Sequence, residues 1–176
     1  MPGRAEYRAL RDKVDAFAAQ AHAAQAPWLS CRAGCDGCCR TRRSAWAVEI
    51  DALRAHLATL PAERRAALAA RRDDPAVVAG ERCVFLDGDG RCAVYEARPL
   101  ICRTHGPAVR LPDGDTVWCA LNFEGLDPAE VLARLPAGAV LDLELLNRML
   151  ALVNARYLQS RDEPARAGLD AALDAG

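Results

Sequence analysis

Tyr7, Leu10, Val14, Phe17 and Ala21 fall on one face at helical spacing, which predicts an amphipathic helix over residues 5–25, ended by Pro27. From Cys31 to Cys39 the apolar pattern stops, and Gly34 and Gly37 suit a tight loop. The helical period returns with Trp46, Ile50, Leu53 and Leu57, and Ser44 is the expected N-cap. Pro61 suits the first turn of an Ala/Arg-rich helix ending near Asp73-Asp74-Pro75. Its arginines, Arg64, Arg65, Arg71 and Arg72, read as a solvated face.

The period then shortens. Val84-Phe85-Leu86 and Ala93-Val94-Tyr95 flank Asp87-Gly88-Asp89-Gly90, which reads as a short hairpin; Asp87 and Asp89 belong to a turn, since the rest of a calcium loop is missing. A second turn is expected at Pro112-Asp113-Gly114, before Val117-Trp118-Cys119. Asp127-Pro128-Ala129-Glu130 has the order of an N-cap, a first-turn proline and a capping glutamate. A last helix over 141–159 carries Leu145, Leu146, Met149, Leu152, Val153 and Tyr157, a wide face expected in the core. The polar, Ala-rich stretch after Ser160 is expected to fray. The expected fold is mainly α with a small β-hairpin, a single domain organised around one or more cysteine-ligated metal sites. Its parts are an N-terminal helix in 1–27, a cysteine region in 28–120, helices in 121–160 packing on it, and the tail 161–176.

Composition narrows the function. A chain of 176 residues that is 52 % hydrophobic can bury a core of its own. The net charge of −1 gives no general pull towards nucleic acid or membrane. Residues Met1 to Arg8 lack the apolar core of a signal peptide, and no stretch has the length of a membrane helix. A cytoplasmic location is therefore expected, where clustered cysteines bind metal or do redox work more often than they form disulfides.

The cysteines are Cys31, Cys35, Cys38, Cys39, Cys83, Cys92, Cys102 and Cys119. The first four form C-x3-C-x2-C-C, which gathers several sulfurs in one short loop. Zinc takes four ligands in a tetrahedron, and an iron–sulfur cluster takes about four thiolates around a cage. Neighbouring side chains point apart, so Cys38 and Cys39 are not expected to share one zinc; one goes to a second metal or stays a free thiol. Cys83 and Cys92 lie on opposite arms of the predicted hairpin, where cross-strand side chains approach within about 5 Å. Cys102 and Cys119 follow, and the count fits two four-cysteine sites or one site with spare thiols. Arg32, Arg40, Arg82, Arg91 and Arg103 each adjoin a cysteine, where even spacing would give about two such neighbours. Their charge would offset that of a thiolate site. His105, three residues after Cys102, is the histidine best placed to join the ligands; His22 and His56 read as surface or core residues.

Cys31-Arg32-Ala33-Gly34-Cys35-Asp36-Gly37-Cys38-Cys39 resembles the signature of the YkgJ-like cysteine-cluster family of zinc- or iron-chelating domains, the CxxCxxCC type. Cys83-Val84-Phe85-Leu86, Gly90-Arg91-Cys92-Ala93-Val94-Tyr95-Glu96 and Arg98-Pro99-Leu100-Ile101-Cys102-Arg103 match its second block, and the likeness spans about residues 28–120. The first gap holds three residues where many members have two. The resemblance implies a bacterial cytosolic protein, of a kind often named iron–sulfur oxidoreductases. It also implies a tie to a flagellin lysine methylase that carries an iron–sulfur cluster, which tilts the expected cofactor from Zn2+ towards iron–sulfur. No cofactor motif for methylation is present. Three readings stay open. The first is a metal-binding protein whose partner is the ion or cluster itself. The second is an iron–sulfur oxidoreductase passing electrons to an unidentified protein. The third is a zinc-stapled module presenting Arg40, Arg42 and Arg43 to a protein or nucleic acid, which the neutral charge disfavours. No glycine-rich nucleotide loop is visible.

Overall fold

The computed structural model describes residues 2–136, 138–159 and 161–174. Helix α1 spans Arg4–Gln25, burying Tyr7, Leu10 and Val14 as the periodicity requires. Pro27, inside a one-turn 3-10 segment, ends it. Strand β1 (Ser44–Trp46) runs straight into α2 (Ala47–Leu57). Ser44 is not the N-cap, because strand pairing takes its backbone. Glu49 does the capping instead: one carboxylate oxygen accepts the Trp46 N–H at 3.0 Å, the other the Leu100 N–H at 2.8 Å.

Helix α3 (Ala62–Ala70) begins after Pro61, and α4 (Pro75–Val78) is capped by Asp74. The arginines of α3 are not simply a solvated face. Arg64 and Arg71 both grip Asp87, at 2.7 and 2.5 Å, and so clamp the helix to the turn between two cysteines. Burial would raise the Asp87 pKa, but the two guanidiniums outweigh it and hold it below the usual carboxylate range. Asp87→Asn should cost about 1 kcal/mol, the half-exposed Arg64 being partly screened. Because the folded pKa is the lower one, that stabilisation is present above the unfolded carboxylate value and fades as pH falls through the folded one. Urea melts of both proteins at neutral and acid pH should therefore converge at the acid end.

The hairpin expected around this turn shrinks to a single bridge between Leu86 and Cys92. Val84, Phe85 and Leu86 are all buried in succession, so the segment has no solvent face to alternate with and coils into the core. After the short α5 (Leu100–Arg103), β2 (Val109–Arg110) and β3 (Thr116–Val117) form a true hairpin over Pro112-Asp113-Gly114. Helix α6 (Pro128–Arg134) starts with the predicted box: Asp127 accepts the Glu130 N–H, and Glu130 accepts that of Asp127. Strand β4 (Leu141–Asp142) joins β2 in parallel and leads into α7 (Leu143–Leu158).

Helix α7 buries Leu146, Leu150, Asn154 and Tyr157 against α1 and α2. Leu145, Met149 and Leu152, expected inside, are exposed, Leu152 by 74 %. Only one stripe of α7 meets the core. Residues 161–174, expected to fray, carry a strand and a 3-10 turn. Strand β5 (Arg166–Gly168) pairs antiparallel with β1, and the 3-10 turn Leu169–Leu173 sends Leu169 and Ala172 into the core around Leu53, Leu68 and Phe85. Two apolar side chains and a backbone ladder are enough to hold a polar segment. Met1, Ser160, Ala175 and Gly176, which also fell within the terminal expectations, lie outside the described residues. Among those described, no helix is long and apolar enough to cross a membrane.

Candidate metal centre

The first four cysteines occupy a loop built by local turns. Cys35 N–H bonds the Arg32 carbonyl at 3.0 Å, and Cys39 N–H bonds that of Asp36 at 2.7 Å. The 3-10 turn Gly37–Cys39 places Cys38 and Cys39 with their sulfurs 4.0 Å apart. This loop then meets the second block. The Cys39 carbonyl accepts the Cys83 N–H at 2.7 Å. Gly90, at φ +78°, approaches so closely that a Cβ there would stand 2.9 Å from the Gly34 carbonyl oxygen. A side chain at position 90 would push the two cysteine loops apart.

Cys102 rides on α5, whose first N–H is held by the buried Glu49. Cys119 donates its N–H to the Gly106 carbonyl at 3.1 Å. Asn122, buried and missed in the sequence reading, organises this corner. Its Oδ1 accepts the Ser30 N–H at 2.9 Å, and its Nδ2 donates to the Gly106 carbonyl at 2.8 Å while standing 3.7 Å from Cys31 Sγ. Asn122→Ala would leave the part-buried Ser30 N–H without its acceptor and take one of two donors from the Gly106 carbonyl, at about 1 kcal/mol. Urea denaturation should show that loss, and Cys31, without the amide that favours its thiolate, should alkylate more slowly than in the parent protein.

All eight cysteines, contributed by four segments, line one cavity of about 690 Å³. His22, His105, Arg43 and Arg98 line it as well. His105 was foreseen. His22 was not, since nothing in α1's own pattern shows which helix face will cover the cysteines; His56 is not among the lining residues. The lining residues include five arginines and no carboxylate.

Of the arginines placed beside cysteines by sequence, Arg32, Arg91 and Arg103 line the cavity, and Arg40 and Arg82 do not. Arg40 pairs with Asp36, Arg82 with Asp74, Arg91 with Asp89, and Arg103 with Asp15. Arg43 and Arg98 act on the sulfurs instead. Arg43 donates to the Cys38 carbonyl, and Arg98 lies 3.5 Å over the Tyr95 ring, facing the cavity. Arg42 sits 3.6 Å from Asp170. Of the trio Arg40, Arg42 and Arg43, each therefore has a partner within the fold.

Electrostatics divide the sulfurs. The Cys39 thiol, hydrogen-bonded to Cys38 and aided by the Arg43 charge, brings Cys38 down to about 6. Cys39 is pushed up by the same hydrogen bond and by burial. Burial pushes Cys102 up to about 12 and raises Cys31, Cys83 and Cys92 too. Burial lowers His22 and His105, which favours neutral rings with a free nitrogen lone pair. A cation entering the cavity would displace thiol protons, so its affinity must rise with pH.

Thiolates with imidazoles are the donor set of zinc and iron–sulfur sites, and the nearby guanidiniums match their negative charge. Residues 30–120 match the family CxxCxxCC, described as "Putative zinc- or iron-chelating domain". The chain belongs to this family. The match takes in all eight cysteines, Arg43, Arg98 and His105, and stops just short of Asn122. In the family's title pattern two residues separate the first two cysteines; here Arg32, Ala33 and Gly34 do, with Gly34 at φ +86° absorbing the longer gap. The family's description makes this a metal-binding protein. No curated protein and no solved structure matches the chain. Among the described residues no three Cys, His, Asp or Glu side chains converge on one point where an ion would sit, although all eight cysteines line the cavity.

Proposed function

We propose that the cavity holds a thiolate-bound iron–sulfur centre. The observation that carries this reading is the enclosure of one cavity of about 690 Å³ by all eight cysteines. Four thiolates on a single zinc, with Zn–S near 2.3 Å, draw their sulfurs to about 3.8 Å from one another and leave no space between them. Eight cysteines lining so wide a space suit a multi-atom cage better. Such a group supplies one-electron chemistry when bound. The chain's own residues would bind it through sulfur, offset its charge with Arg43 and Arg98, and cover it with Leu169 and the α5 segment.

Protein purified without oxygen tests this directly. A brown colour, broad visible absorption, and iron matched by acid-labile sulfide are the expected results. A colourless protein holding stoichiometric zinc would overturn the iron–sulfur reading while leaving metal binding in place. On the loaded protein, a reversible potential within the cellular range would mark an electron carrier, the basis for an oxidoreductase role.

A further inference from the structure

We infer that a second cavity, of about 210 Å³ and sharing Arg43, Cys83 and Leu169 with the wall of the sulfur cavity, is a binding site for a small phosphorylated molecule. The inference goes beyond metal binding and does not depend on it.

Four guanidiniums, those of Arg42, Arg43, Arg72 and Arg82, line this cavity against one carboxylate, that of Asp170. Like charges gathered around one space repel, and an anion inside relieves them. The carboxylates of the fold do not close on two of the four. Arg42 stands 3.6 Å from Asp170, and Arg82 stands 3.6 Å from Asp74, both beyond hydrogen-bond distance. Each gap has a cause. Asp170 folds back over Gly168, so closely that a Cβ there would clash with its Oδ1. Asp74 turns its Oδ1 to the Ala76 N–H, at 2.9 Å, as the cap of α4. Arg43 directs Nε and Nη2 to the Cys38 carbonyl, and Arg72 is held more tightly, by Asp174 at 2.7 Å.

The rest of the wall is largely apolar. Val84 and Leu169 are buried, Val77 is half-buried and Val78 is 66 % exposed, so the apolar side runs from the core to the surface. The volume lies below the range of about 300–1,000 Å³ that suits drug-sized ligands, so the ligand is small. A phosphate monoester offers acceptor oxygens and up to two negative charges to a lining rich in donors, and guanidinium forks fit those oxygens. A monocarboxylate would leave most of the arginine charge standing. Inorganic phosphate would meet the arginines and leave the valines bare, whereas a short alkyl group on the phosphate would cover Val78.

Calorimetric titration of the full chain, purified without oxygen and held at constant ionic strength, tests the site with n-butyl phosphate, inorganic phosphate and pentanoate. n-Butyl phosphate should bind at one equivalent, several-fold tighter than inorganic phosphate and about tenfold tighter than pentanoate. Arg42→Gln and Arg82→Gln should each weaken it about tenfold. The Arg42 side chain is 64 % exposed, so its replacement leaves the core intact. Val78→Ser should weaken n-butyl phosphate and leave inorganic phosphate unchanged. Arg91→Gln, on the sulfur cavity alone, should change neither. Absence of binding by both phosphates, or binding that survives Arg42→Gln and Arg82→Gln in full, overturns the inference. An equal loss in Arg91→Gln does so too, because the anion would then sit among the sulfurs or respond to charge alone. Pentanoate binding as tightly as n-butyl phosphate overturns the phosphate assignment. A parent chain that binds n-butyl phosphate through Arg42 but holds no metal would sink the reading of the sulfur cavity and keep this one.

Discussion

Cys92→Ser is expected to lower the bound metal and to lower the melting temperature by roughly 10 °C. The thiol lies at the bridge between Leu86 and Cys92, where the second cysteine block closes on the core residues Phe85 and Val94. Ligation of thiolates to a metal contributes directly to folding, with apparent energies near 10 kcal/mol for whole zinc sites, so loss of one ligand should cost about 4 kcal/mol. In a chain of this length that corresponds to the stated shift in melting temperature. Cys35→Ser should behave similarly. Leu152→Ser on the exposed stripe of α7 is the control and should change neither quantity. Metal analysis and calorimetry of the three variants decide the matter. Unchanged metal content and melting in both cysteine variants would show that these thiols are not ligands.

Glu49→Ala should destabilise the fold by about 3 kcal/mol, because it leaves the N–H groups of Trp46 and Leu100 buried without acceptors. Glu49 is only 2 % exposed. Since Leu100 opens the helix that carries Cys102, the variant should also load less metal. Glutamine should recover part of the stability by keeping one acceptor oxygen. Burial raises the Glu49 pKa despite the two N–H groups that favour its charge. As pH rises past the ordinary carboxylate value the unfolded chain ionises first, so the native state loses stability until its own, higher pKa is passed. Glu49→Gln has no such proton, and its urea midpoint should fall less between about pH 4 and about pH 7 than that of the parent. An equal fall in both would show that Glu49 does not titrate in this window.

Much of this was legible because the relevant signals are local. Cysteine spacing marks the ligands, the Tyr7-to-Ala21 stripe marks α1, and Asp127-Pro128 with Glu130 marks the start of α6. What escaped depends on contacts far apart in sequence. Asn122 and Glu49 are polar residues whose worth lies largely in the distant partners Ser30, Gly106 and Leu100, 16 to 92 residues away, and no periodicity announces those contacts. Arg43 and Arg98 line the cavity although neither adjoins a cysteine, while Arg40 and Arg82, which do adjoin one, are drawn off by Asp36 and Asp74. The outer leucines of α7 misled for the opposite reason. Their spacing is helical, but only α1 and α2 are there to cover the helix, and one stripe satisfies both.

Strand β1 finds its partner only in residues 166–168, and Leu169, next to that strand, forms part of the cavity wall. During translation every cysteine therefore emerges before the segment that covers it. At ordinary elongation rates the gap between β1 and β5 leaving the ribosome is on the order of 10 s. Through that interval the thiols belong to an open nascent chain, accessible to metal donors and oxidants alike. A stop codon ahead of residue 166 would leave a product with all eight sulfurs but without the lid over them.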